Sequence, residues 1–110
     1  MDERIADAIA RRDAGMALAV EHADQVEPAW SDRAFAILGE YVADTSADFT
    51  IEDVRVVAEA MGLPRPPDCR AWGAIARRGH RAGLIVPTER FISSNDPKSH
   101  RGPNRVWRRA

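Results

Sequence analysis

Apolar positions recur at helical spacing along most of the chain before Gly83. The clearest stripe is Trp30, Ala34, Ile37, Leu38 and Tyr41, at i, i+4, i+7, i+8 and i+11. It predicts a helix from about Pro28 to Val42, with Pro28 in its first turn and one apolar face. Ile5, Ile9, Met16 and Ala19 predict a weaker helix from about Asp2 to His22. Gly15 within it costs about 1 kcal/mol relative to alanine. A polar break, Asp44 to Asp48, separates these from a short extended piece, Phe49-Thr50. Thr50 and Asp53 have the spacing of a capping box, so a third helix is expected from about Ile51 to Met61. Its inner face would be Val54, Val57, Ala58 and Met61, and Gly62 would stop it.

Leu63-Pro64-Arg65-Pro66-Pro67 cannot continue a helix. Asp68 then caps a fourth helix, about Cys69 to Ala82, stopped by Gly83. Beyond it the period changes. Leu84-Ile85-Val86 reads as a strand, and Phe91-Ile92 either extends it or forms a short strand of its own. Ser93 to Asn104 is rich in turn formers, and Arg105 to Arg108 is the return strand.

The expected fold class is therefore mainly α with a small β-hairpin. In order, the elements are those of a winged helix-turn-helix preceded by an extra N-terminal helix. The expected division is residues 1–26 for that helix and 27–110 for the winged-helix domain.

The fourth helix carries the chemistry. On a wheel of about 100° per residue, Ile75, Ala76 and Gly79 lie within roughly 60° of Trp72 and form its inner face. Arg70, Arg77 and Arg81 lie roughly 140–180° away, with Ala74 among them and Arg78 beside them. A recognition helix needs such an outer face, because a guanidinium binds phosphate or guanine through two parallel hydrogen bonds. Small residues such as Gly73 and Ala74 allow close approach. The wing would add Lys98, His100, Arg101 and Arg105, with Ser94, Ser99 and Asn104 as neutral donors to phosphate oxygens.

Charge supports the same reading once the chain is divided. The net charge of −1 conceals 14 acids against five arginines up to Pro64, then ten arginines and one lysine against three acids. Such asymmetry points to an anionic partner for the basic part. Duplex DNA fits, and about five neutralised phosphates would give a log-log salt slope of about −4.5. The acidic part offers a surface to a basic protein partner, and the first helix offers one to a second copy.

The stretch "DCRAWGAIARRGHRAGLIVPTERFISSNDPKSHRGPNRVW", Asp68 to Trp107, resembles winged-helix proteins of bacteriophages and prophages. The matching parts are "RAWGAIARR", the "AGLI" exit into the first strand, and the "SHRGPNRVW" return. The resemblance covers the chain from Phe49 onward and implies DNA binding in phage-type replication or transcription regulation. It does not account for the first helix.

Other chemistries are disfavoured. Cys69, His22, His80 and His100 lack zinc-ligand spacing, so no metal and no cofactor is expected. Asp96, Ser99 and His100 share a loop without a supporting sheet, and no enzyme is expected. Trp72 and Trp107 are read as core rather than as base-stacking residues. One cysteine, no apolar run of membrane length and no signal-peptide pattern at Met1-Asp2-Glu3-Arg4 together give a cytoplasmic expectation.

Overall fold

A computed structural model describes residues 3–93 and 103–110. It contains four helices, α1 (Glu3–Val26), α2 (Trp30–Asp44), α3 (Ile51–Ala60) and α4 (Arg70–Arg81). A two-stranded antiparallel hairpin, β1 (Ile85–Ser93) and β2 (Pro103–Arg109), follows them. The protein is thus mainly α with a small β-hairpin. Among the described residues, no helix is long and apolar enough to cross a membrane.

The Trp30 stripe forms the centre of the core. Trp30, Ala34, Ile37 and Leu38 are buried, and Tyr41 packs at the margin. Trp30 meets Trp72 edge to face at 5.2 Å, and its indole N–H donates to the Pro64 carbonyl at 2.9 Å. The proline connector is thereby tied to α2. Gly79 lets α4 lie close against α2, since a methyl group there would come within 2.6 Å of Leu38 Cδ2.

The predicted start of α2 needs correction. Pro28 lies in the turn before the helix rather than in its first turn. Ala23, 1% exposed, continues the buried seam of α1, so that helix runs on to Val26. The chain then turns through Ala29 in the left-handed region, with φ 63°. Asp24 at the end of α1 caps α2, its carboxylate accepting from the Ser31 amide at 2.8 Å and the Ser31 hydroxyl at 2.7 Å.

The capping box of α3 is present in both directions. Thr50 Oγ1 accepts from the Asp53 amide, and Asp53 accepts from the Thr50 amide at 2.9 Å. Thr50 is 3% exposed, so water cannot replace these partners. Thr50→Ala is expected to lower stability by about 1–2 kcal/mol in urea unfolding. The inner face of α3 is narrower than its pattern suggests. Val54 and Ala58 are fully buried, whereas Val57 and Met61 are 38% and 57% exposed. Val57 and Met61 instead border a shallow groove with Ile37 and Tyr41, where none of the described residues covers them.

The hairpin is a single pair of arms, with Phe91 and Ile92 extending β1 opposite Arg105 and Asn104. Its register slips between Pro87 and Phe91. There Thr88 donates from its hydroxyl to the Val106 carbonyl at 2.7 Å. Phe49 forms a bridge on the other side of β2, exchanging two backbone hydrogen bonds with Trp107 at 2.9 and 2.7 Å.

Candidate nucleic-acid interface

The inner face of α4 packs as its wheel requires, with Trp72, Ile75, Ala76 and Gly79 all buried. Ala71 is buried as well, on the side that meets α2. The outer face departs from expectation. The sequence predicts an outward row of arginines, but α1 lies along it. Met16 covers Gly73 so closely that a methyl group there would sit 3.0 Å from Met16 Cε. Gly73 therefore serves the approach of α1, not the approach of a duplex.

Three of the four expected arginines on α4 have carboxylate partners. Arg77 Nη1 donates to Asp13 Oδ1 of α1, 64 positions away. Arg78 Nη1 donates to Asp32 of α2 at 3.1 Å and lies 4.1 Å from the centre of the Phe35 ring. Arg70 donates to Asp68, with Nη2–Oδ2 2.6 Å. The Arg70 hydrogen bond is the main reason that the Asp68 carboxyl is held below its ordinary pKa, while Asp68 raises that of Arg70. Asp68 also accepts from the Arg70 amide at 2.9 Å, so it serves the helix start as expected. Asp13 of α1 and Asp32 of α2 thus oppose Arg77 and Arg78, and Asp68, two residues away, opposes Arg70. Arg81 is exposed with no ion pair among the described residues, and Ala74 is half-buried.

A different gathering of side chains results. Between α1, α4 and the hairpin lies a cleft of about 460 Å³. Arg12, Arg77, His80 and Arg105 line it together with Met16 and Trp107. None of the described residues lining it is acidic. Arg105 donates to the Thr88 carbonyl at 2.7 Å and lies 4.2 Å from the centre of the Phe91 ring. Its position is thus set by the slipped register of β1. His80 packs edge-on against Trp107, with ring centres 5.7 Å apart. Asn104 also lines the cleft, and its side-chain amide donates to Glu52 at 2.9 Å.

Of the residues expected to form the site, the structure brings Arg77 and Arg105 together. It directs Arg70 toward Asp68 and Arg78 toward α2. Lys98, His100 and Arg101 lie outside the described residues. The sequence reading missed Arg12 and His80 as members of this cleft, and Asp13 as a partner of Arg77. Trp107 is half-buried and lines the cleft, so it is less completely core than expected. Among the described residues, no group of His, Cys, Asp or Glu is arranged to hold a metal ion. Compared with known proteins, the chain matches no family model, no curated protein and no solved structure.

Proposed function

We propose that the protein binds double-stranded DNA, gripping the phosphate backbone through the cleft between α1, α4 and the hairpin. The observation that supports this is the convergence of Arg12, Arg77 and Arg105 from three distant segments on one concave surface, where Asp13 contacts Arg12 and Arg77. Three guanidinium groups around one carboxylate leave net positive charge, which an anionic partner offsets. Exposed Arg81, one turn beyond Arg77 on α4, and exposed Arg108 add further positive charge. The helix order and the Phe49 bridge beside the hairpin are compatible with a winged helix. The mode proposed is nonetheless not deep insertion of α4 into the major groove, because α1 stands over that face. A role in phage-type replication or transcription regulation belongs to the same proposal.

The test is fluorescence anisotropy of a labelled duplex titrated with the full chain at low salt. Saturable binding that weakens steadily with added salt is expected. Absence of saturable binding at low salt ends the proposal.

A second reading, protein interaction through the first helix, has one specific observation in its favour. Ile5 and Ile9 are 55% and 38% exposed, on the part of α1 with no buried residue. Pairing of this stripe with a second copy would cover them. Sedimentation equilibrium is expected to show a dimer that Ile5→Glu with Ile9→Glu returns to monomer. A wild-type chain that stays monomeric over the whole concentration range rules the pairing out.

A further inference from the structure

We propose that Asp13 occupies the place of a DNA phosphate within the cleft, so that binding proceeds by exchange of this carboxylate for a phosphodiester. The proposal rests on the DNA-binding reading and concerns the regulation of that same site. Its basis is the geometry around one oxygen. Asp13 Oδ1 accepts from Arg77 Nη1 and, at 3.5 Å, from Arg12 Nη2. Both guanidinium groups line the cleft. A single anionic oxygen is therefore already held between cations of α1 and α4, as a phosphate oxygen would be.

The contact is built to be exchanged. The Arg12, Asp13 and Arg77 side chains are 60%, 34% and 39% exposed, so water reaches all three. Ion pairs of this exposure contribute little net stability. A phosphodiester presents two charged oxygens and accepts a guanidinium fork in bidentate fashion, which a carboxylate oxygen shared between two arginines does not. Asp13 also lies before the buried part of its helix. Of the 24 residues of α1, only Ala19 and Ala23 are buried, and every described residue before Asp13 is exposed. Rotating the Asp13 side chain away leaves the packing of Met16, Ala19 and Ala23 in place. Asp13 thus sets a threshold, holding Arg77 in place and lowering the affinity for weakly bound anions.

The experiment measures duplex binding by anisotropy at one fixed salt concentration with full-length variants. Asp13→Asn is expected to bind about three- to fivefold more tightly, the range that release of one exposed ion pair permits. Asp7→Asn makes the same charge change on an exposed residue of the same helix. It is expected to change affinity by less than about twofold, since its carboxylate lies about 9 Å along the helix from Asp13 and acts only through screening solvent. In an Arg77→Ala background the gain from Asp13→Asn should vanish, because the cycle isolates the coupling between the two side chains. Equal gains from Asp13→Asn and Asp7→Asn overturn the proposal, as does a gain that persists without Arg77. If wild type binds and Asp13→Asn binds equally well, this inference fails while DNA binding stands. If neither wild type nor any variant binds, DNA binding itself fails and the inference falls with it. Thermal melts followed by circular dichroism confirm that each variant is folded before binding is compared.

Discussion

Trp30→Ala is expected to remove about 3–5 kcal/mol of stability. The side chain is 1% exposed and is among the largest fully buried side chains of the protein. Truncation removes its edge-to-face contact with Trp72 and the indole hydrogen bond to Pro64. The Pro64 carbonyl then loses its donor, and the connector between α3 and α4 loses its tie to α2. Small domains hold only about 5–15 kcal/mol in all. The variant should therefore unfold at much lower urea concentration, and its melting temperature should fall by roughly 15–30 °C. Trp72 makes a useful contrast, because its buried Nε1 has no hydrogen-bond partner among the described residues. Trp72→Phe forfeits no such bond and should cost clearly less than Trp30→Phe. A loss below about 1 kcal/mol for Trp30→Ala would contradict a core centred on this residue.

Duplex affinity is expected to drop by about 500-fold between 50 and 200 mM salt. The figure follows from about five phosphate contacts, each releasing condensed counterions with a slope near −0.9 per contact. Arg12, Arg77, Arg81, Arg105 and Arg108 are the groups available for them. Each guanidinium is charged at any working pH. Anisotropy titrations at four salt concentrations give the slope directly. A slope near zero would exclude a backbone-directed mode. Arg105→Ala should reduce the slope by about one contact and weaken all sequences alike. A loss confined to one base position would assign Arg105 to base reading instead.

Much of the fold was legible because each helix carries its apolar face in its own sequence. The Trp30 to Tyr41 spacing marked the centre of the core, and Thr50 with Asp53 marked the start of α3. Trp72, Ile75, Ala76 and Gly79 marked the buried side of α4. A wheel says which face is polar, however, and not what lies against it. Arg77 meets Asp13 across 64 positions, and Arg78 meets Asp32 across 46. No local period encodes either pair. The one available signal was Gly73, a glycine within a helical pattern, which often marks close approach of another element. It was read as room for DNA, and Met16 of α1 fills that room. Val57 and Met61 misled for a related reason. Their spacing suits an inner face, but none of the described residues covers the groove they border.

The bridge between Phe49 and Trp107 has a consequence for how the chain is made. Phe49 is 3% exposed, and both of its backbone hydrogen-bonding groups are satisfied by a residue 58 positions later. A buried peptide group without a partner is costly. Val106, 4% exposed, comes from the same late strand. A chain emerging from the ribosome can pair its helices early, but its middle stays open until the return strand has cleared the exit tunnel. Completion of the fold therefore waits on synthesis of the return strand.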